Sequence, residues 1–228
     1  SEDMQICADE GVQIFGGMGF SAEVPIESAW RDARIGRIYE GTNEINRMLI
    51  IGMLLKKALK GNLDIMTPYQ DVIKNKSVSI EENLDLLNNE INLVENFKKI
   101  FLLLLGKAFE KYGADIDKNQ QVLLSLSDLA IEAYLSESTL KRTIKNINRT
   151  SVEAQLDQVN MTKLYVYEAS QIVDKKSKDV INSIIDLQSQ NEITSLVIEK
   201  LKYTENPNVF DLKTKIANKI ILENKYCF

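Results

Sequence analysis

The stretch QIFGGMGF, residues 13–20, marks the first reversal of this chain. Before it, apolar and small residues recur at helical spacing, so residues 2–15 are predicted to form a helix with one inward stripe. This stripe consists of Met4, Ala8, Gly11, Val12 and Phe15. Gly16 and Gly17 are predicted to end the helix, because glycine readily adopts the left-handed conformation found after a helix.

A second stretch, IYEGTNEI at residues 38–45, marks another break between helices. Pro25 suits the first turn of the helix that precedes it. Thr42 and Asn43 suit the N-cap of the helix that follows it, which is predicted to end at Gly61. The predicted inner stripe of this third helix consists of Ile45, Met48, Leu49, Gly52, Met53 and Lys56.

Residues 61–77 lose this periodicity and are predicted to be a polar linker. Beyond the linker, capping patterns at Ser79–Glu82 and Thr150–Glu153 indicate the starts of two long helices. No stretch has the period of a β-strand. The sequence therefore predicts an all-α fold, an antiparallel helical bundle, with domains at residues 1–60 and 78–228.

Five helices are predicted in the second domain, at residues 79–112, 117–148, 150–185, 192–203 and 210–224. A break near residues 175–178 would divide the third of them. The apolar run Phe101–Leu105 is far shorter than the ~20 residues of a membrane span, and it indicates a buried helix of the bundle.

The composition narrows the possible functions. Of the 228 residues, 44% are hydrophobic and 27% are charged, which is enough apolar material for a core. The formal net charge of −5 argues against nucleic acid as a partner. Cys7 and Cys227 are expected to be free thiols. Because the chain has no histidine, acid–base chemistry falls to carboxylates, lysine or tyrosine, and we predict no metal site.

Two features could carry chemistry, and each has a plainer alternative. The glycines at residues 16–19 follow a helix rather than a strand, so a helix stop is a better interpretation than a phosphate-binding loop. Glu40 lies in an aromatic–acid–glycine turn, where a dry cleft would raise the pKa of its carboxyl toward that of a base. The alternative is an ordinary solvated loop glutamate. Neither motif alone decides between its alternatives.

Together, and at this separation, the two stretches resemble the C-terminal helical domain of the acyl-CoA dehydrogenases. The resemblance runs from about Ala8 to Ile51 and includes Glu27 and Arg31–Ala33. It implies that residues 1–60 are the end of that helical domain. The helical region after them resembles the extension of the very-long-chain branch, whose members are dimers. The implied activity is the FAD-dependent α,β-desaturation of acyl-CoA in fatty-acid β-oxidation, with an electron-transfer acceptor.

The resemblance also implies a role for each matching residue. Glu40 matches the base that removes the α-proton of the acyl thioester while a hydride passes to the flavin. Gly41 matches a position beside the substrate. The residues that match FAD-contacting positions are Gln13, Ile14, Phe15, Gly16, Gly17, Thr42, Asn43 and Glu44. At Thr42 and Asn43, free N–H groups of a helix N-terminus would suit an anionic part of the cofactor.

The other domains of the family have no counterpart in this sequence. We therefore expect the isolated chain to be an inactive fragment that does not retain FAD and exposes apolar faces on its first helices. For the parent we expect a homodimer in the bacterial cytoplasm, or alternatively in the mitochondrial matrix, with peripheral membrane contact by the extension. The alternative function is a non-catalytic helical module for dimerisation or for docking to a membrane or partner.

Overall fold

The computed structural model describes residues 1–74, 85–225 and 227. In these residues the chain forms nine α-helices and no β-strand, which confirms the predicted all-α fold. In chain order the helices are α1 Glu2–Phe15, α2 Pro25–Ile35, α3 Asn43–Leu59, α4 Met66–Ile73, α5 Asn88–Tyr112, α6 Gln120–Arg149, α7 Leu156–Ile184, α8 Leu187–Lys200 and α9 Val209–Glu223.

The chain divides into two compact units, Ser1–Ile50 and Ile51–Phe228. The division falls within α3, so that one helix belongs partly to each unit. The predicted assignment of residues 1–60, 61–77 and 78–228 to a family domain, a linker and an extension stays a prediction.

The second unit is built on three long helices, α5, α6 and α7, which pack against one another. Short connections make consecutive helices antiparallel. Across α6 and α7, the hydroxyls of Thr143 and Thr162 share a buried hydrogen bond of 2.8 Å. Helices α8 and α9 pack on α7, and α4 packs on α5. The largest fully buried side chains include Phe97, Ile100, Leu104, Leu126, Leu129 and Ile181.

The predicted linker contains a helix that the sequence pattern missed. Thr67 and Pro68 were interpreted as a polar connection, but they lie in the first turn of α4, where proline is tolerated. Asp64 accepts a hydrogen bond from the N–H of Thr67 at this helix start. Tyr69, on the next position, is only 3% exposed. The helix therefore exists because it docks through one aromatic side chain, a signal too short for periodicity to reveal.

Three predictions for the later helices need comment. The predicted break at residues 175–178 is wrong, since α7 is continuous and Lys175 and Lys178 each form an ion pair one turn away. Helix α8 begins earlier than predicted, because the Asp186 carboxylate caps it by accepting from the N–H groups of Gln188 and Ser189. The capping pattern at Ser79–Glu82 lies outside the described residues.

In the first unit, the predicted helices α1 and α2 are confirmed, but their predicted burial is only partly correct. Gly16 has φ +60°, so it ends α1 as expected. A Cβ at Gly19 would lie 2.5 Å from the Val12 carbonyl oxygen, so this close turn requires glycine. Met4 and Phe15 of the predicted inward stripe are more than half exposed.

The inner stripe predicted for α3 is likewise wrong for this chain. Ile45, Leu49 and Met53 are all exposed, whereas Ile51 is fully buried. Helical spacing identifies which residues share a face, but it does not tell whether another element covers that face. The expectation of exposed apolar faces on the first helices is confirmed.

None of the helices in the described part of the chain is long and apolar enough to cross a membrane. Within those same residues, no group of three or more acidic or cysteine side chains could hold a metal ion.

The docking of α4 on α5 depends on Gly106. A Cβ at this position would lie 2.3–2.6 Å from ring carbons of Tyr69, so the ring lies against bare helix backbone. The Tyr69 hydroxyl donates a hydrogen bond of 2.5 Å to the Glu110 carboxylate, which also pairs with Lys107. Burial and this hydrogen bond raise the pKa of Tyr69 well above its ordinary value, so the hydroxyl stays a donor.

We expect Gly106→Ala to lower the free energy of unfolding by about 1–3 kcal/mol, because the added methyl must displace a buried ring. Urea unfolding followed by circular dichroism measures the change. Gly52→Ala is the matched control: it is also a helical glycine, but a Cβ there meets no atom within 4 Å. Helix propensity predicts that this control gains up to about 1 kcal/mol. Equal losses in the two variants would contradict the role of the Tyr69–Gly106 contact.

Candidate active site

Glu40 and Gly41 form a left-handed turn between α2 and α3. Their φ angles are +55° and +86°, and a left-handed conformation costs a residue with a side chain roughly 1–2 kcal/mol. On one side of the turn, the Tyr39 N–H donates to the Ile35 carbonyl oxygen. On the other, the Asn43 N–H donates to the Arg37 carbonyl oxygen over 3.2 Å and closes the loop.

In the described residues, the environment of Glu40 is the solvated one of its two alternatives and not a dry cleft. Its side chain is exposed, so the described residues of this chain do not exclude water from it. The neighbouring aromatic residue, Tyr39, is also exposed. The role of Glu40 as a base stays a prediction, and the water exclusion that such a base needs must come from atoms other than these.

The residues predicted to contact a cofactor at the first turn form an open surface. They are Gln13, Ile14, Phe15, Gly16 and Gly17, and all are exposed. Ile14 is 83% exposed, and a Cβ at either glycine would meet no atom within 4 Å. Bare glycine backbone lets a large group approach closely, so this segment fits a contact with a cofactor such as FAD.

At the N-terminus of α3, the expectation of free N–H groups at Thr42 and Asn43 is wrong for Asn43. The Thr42 hydroxyl accepts from the N–H of Ile45, and the Asn43 N–H is taken by the loop closure. The Glu44 carboxyl also lies here, and its own backbone N–H, then the Thr42 hydroxyl, lower its pKa. An anionic group would therefore meet the occupied Asn43 N–H and the negative charge of Glu44. Contact of Thr42, Asn43 and Glu44 with a cofactor stays a prediction.

An ion pair that the sequence did not reveal joins the starts of α1 and α3. Glu2 and Arg47 lie 2.5 Å apart, and the Ser1 hydroxyl donates to the Asn43 side-chain oxygen over 2.9 Å. The hydrogen bond from Arg47, helped by one from Asn43, holds the pKa of Glu2 below its ordinary value. The partners are 45 residues apart, so no local pattern could indicate the pair.

The geometry separates the two predicted parts of the site. The start of α1 lies beside the start of α3 through the Glu2–Arg47 pair, whereas Gly16 follows the end of α1. A helix of 14 residues is about 20 Å long. The first unit thus presents the Glu40 turn and the glycine turn toward opposite ends of α1, as two surfaces rather than one pocket.

Comparison with known proteins identifies the family. Two family models, each described as acyl-CoA dehydrogenase, C-terminal domain, match residues 1–55 and 96–198. These two segments of the chain belong to the acyl-CoA dehydrogenase C-terminal domain family. The first model covers both predicted site stretches, and the second covers most of the helices of the second unit.

Individual relatives agree with this family. A probable acyl-CoA dehydrogenase of Bacillus subtilis is 35% identical over 230 residues, which cover 99% of this chain and 38% of the relative. Subunit CarC of the caffeyl-CoA reductase–Etf complex of Acetobacterium woodii is 51% identical over 53 residues, 23% of this chain and 14% of the relative.

A solved structure supports the fold of nearly the whole chain. The crystal structure of an acyl-CoA dehydrogenase complexed with FAD from Bacillus anthracis matches with a TM-score of 0.91 and 36% identity. The match covers 97% of this chain and 38% of that protein. The chain thus spans well under half the length of this acyl-CoA dehydrogenase and of the Bacillus subtilis relative.

The pH dependence of the first unit tests the Glu2–Arg47 pair. Because the pKa of Glu2 is lowered on folding, the pair stabilises the folded state above pH ~4.5 and loses this effect as pH falls through the folded pKa. The pair is partly exposed, so we expect about 0.5 kcal/mol. The one tryptophan, Trp30, lies in α2, and its fluorescence reports the unfolding of this unit.

In that measurement, wild type should be more stable than Glu2→Gln near neutral pH, and the two should converge in acid. Glu10→Gln removes the same charge from an exposed position of α1 and serves as the control. A constant difference between wild type and Glu2→Gln from neutral to acidic pH would show that the carboxylate of Glu2 is not the source of the stabilisation.

Proposed function

We propose that this chain is the C-terminal part of an FAD-dependent acyl-CoA dehydrogenase in which Glu40 is the catalytic base. The observation that carries this proposal is the turn itself. A carboxylate is placed in a strained left-handed conformation directly before Gly41 and the start of α3. Residues held in such conformations at a cost are concentrated at functional sites. The match of residues 1–55 to the family supports the proposal further.

In the proposed reaction, an acyl thioester loses a proton from its α-carbon and a hydride from its β-carbon, and a carbon–carbon double bond forms between them. The Glu40 carboxylate takes the α-proton and becomes neutral, and its backbone N–H is proposed to bind the thioester oxygen. FAD, when bound, supplies the acceptor for the hydride. A well-placed general base contributes about 10²–10⁴-fold to such a step.

Gly41 keeps space beside the base. A Cβ at this residue would lie 3.1 Å from the side-chain oxygen of Asn46, and its φ of +86° disfavours any side chain. We propose that the substrate passes next to this bare position. Gln13 to Gly17 are proposed to contact the adenosine-pyrophosphate part of FAD held mainly by a second subunit, and Thr42, Asn43 and Glu44 are proposed to contact the cofactor from the other turn.

The rest of the active site is proposed to come from other parts of a longer protein. Glu40 and the glycine turn are exposed, and the chain spans 38% of the Bacillus subtilis relative. We therefore propose that the isolated chain is inactive and does not retain FAD. For the parent we propose a homodimer of the very-long-chain type in the bacterial cytoplasm, acting in β-oxidation. An electron-transferring flavoprotein is the proposed acceptor, supported by the Etf complex to which one relative belongs.

In the complete enzyme, Glu40→Gln should lower kcat for acyl-CoA desaturation by about 10²–10⁴-fold, because the amide cannot accept the α-proton. Flavin absorbance of the purified variant should equal that of wild type. Glu23→Gln, which changes an exposed carboxylate before α2, is the control. Wild-type turnover by Glu40→Gln would refute the assignment of the base.

A second candidate function is a non-catalytic helical module for dimerisation or docking. The second unit has its own core and does not include Glu40. Helix α9 has exposed apolar residues at both ends: Phe210 lies near its start, and Ile221 and Leu222 lie near its end. Exposed apolar surface of this kind is typical of interaction sites.

The purified chain distinguishes the two candidates. We expect it to be colourless and unable to oxidise acyl-CoA, because the described residues leave both turns open to solvent. Analytical ultracentrifugation should show self-association if the module reading is correct, and Phe210→Ser with Leu222→Ser should reduce it. A yellow chain that desaturates acyl-CoA would contradict the fragment proposal. Sedimentation with anionic vesicles would support peripheral membrane docking.

A further inference from the structure

We infer that Asn46 is a positioning residue for Glu40, because its side-chain amide holds the left-handed Glu40–Gly41 turn from the first turns of α3. The inference rests on the proposed function of Glu40 as the base. Asn46 is not among the residues proposed above to contact the substrate or the cofactor.

The contact is a hydrogen bond that runs back along the chain. The Asn46 Nδ2 donates to the Gly41 carbonyl oxygen over 3.0 Å, five residues earlier in sequence. The backbone N–H of the same residue donates to the Thr42 carbonyl oxygen over 2.9 Å, as part of the start of α3. The Asn46 side chain that binds the turn therefore belongs to a regular helix, α3, which is a rigid support.

Gly41 and the Asn46 side chain lie close enough that a side chain at position 41 would press on the amide. A Cβ at Gly41 would lie 3.1 Å from Asn46 Oδ1 and 3.8 Å from Nδ2. The amide therefore lies next to Gly41, with its Nδ2 donating to the carbonyl oxygen of that residue. Glycine at this position and asparagine five residues later form one unit, since a side chain at the first would press on the second.

The turn needs such support because the left-handed conformation is costly at Glu40, although Gly41 adopts it readily. The roughly 1–2 kcal/mol for Glu40 alone must be met by surrounding contacts if the conformation is to persist. The bonds Tyr39 to Ile35 and Asn43 to Arg37 bracket the turn. The Asn46 amide acts on the Gly41–Thr42 peptide, one residue beyond Glu40, and so it holds the side of the turn that leads into α3.

A purely stabilising residue would behave differently from a positioning residue. Asn46 is exposed, so its hydrogen bond contributes only about 0.5–1.5 kcal/mol, and alanine regains part of this through helix propensity. Global stability should therefore change little. Misplacement of a catalytic group by about 1 Å can cost on the order of 10²-fold in rate. The two roles thus predict different ratios of stability loss to rate loss.

The experiment uses Asn46 variants of the complete flavoenzyme with saturating acyl-CoA. Asn46→Ala should lower kcat by about 10–100-fold, with KM and flavin content close to wild type. The kinetic isotope effect with α-deuterated substrate should increase, because proton removal becomes slower. Asn46→Gln keeps the amide donor and should recover part of the rate. Asn46→Asp, which has the same shape without the donor, should resemble Asn46→Ala, and Asn218→Ala on α9 should resemble wild type.

A second measurement tests the conformation without relying on activity. In the 228-residue chain, Asn46→Ala should speed hydrogen exchange of the Asn43 N–H, which closes the loop, by about two- to tenfold. Asn218→Ala should leave this rate unchanged. An unchanged Asn43 rate in Asn46→Ala would overturn the inference.

The outcomes separate the inference from the proposed function. Wild-type kcat in Asn46→Ala beside an inactive Glu40→Gln would overturn the inference and leave the proposed function standing. An active Glu40→Gln beside faster Asn43 exchange in Asn46→Ala would refute the base and leave Asn46 as the support of the turn. Rate loss in Asn46→Ala with recovery in Asn46→Gln supports both.

Discussion

The burial of helix α5 is the interaction on which the second unit depends. Leu103, Leu104 and Leu105 are consecutive and all buried, so the middle of this helix is covered over a wider arc than one stripe. It packs against α4, α6, α7 and α8. A fully buried leucine contributes about 1.5–3 kcal/mol relative to an exposed one, so this helix contributes much of the unit's core. The bare backbone at Gly106 is the exception that lets an aromatic ring dock there.

The first unit is held together in a different way. Its buried residues are the small ones Ala8, Gly19 and Ala33, while large apolar side chains such as Ile14 and Phe20 face solvent. Close helix packing at small residues and hydrogen bonds, rather than a large apolar core, therefore maintain its shape. Because all proposed catalytic and cofactor residues lie in this unit, their geometry depends on local bonds such as those of Asn46 and of Glu2 with Arg47.

This difference explains how one chain can have a well-formed fold while its proposed site residues are open to solvent. The Glu40–Gly41 turn is held by its own backbone and by α3, so it needs no pocket to adopt its conformation. The pKa of Glu40 would rise toward that of a base only if water were removed, and this requires a surface that covers the turn. At the start of α3, the hydrogen bonds of the Asn43 and Ile45 N–H groups and the negative charge of Glu44 limit how an anionic part of a cofactor could approach.

The sequence by itself determined the features whose causes are local. The existence of most helices, the stops at Gly16 and Gly61, and the all-helical class follow from spacing and from glycine conformation within a few residues. The candidate base came from the family resemblance of the two stretches taken together, because the Glu40 motif alone left the solvated alternative open. Only the tertiary structure decided what lies against each helix face. It revealed the docking of α4 on Gly106, the Glu2–Arg47 pair and the exposed residues of the predicted inner stripes of α1 and α3. Contacts between residues that are distant in sequence do not change the local sequence pattern around either residue, so the pattern cannot predict them.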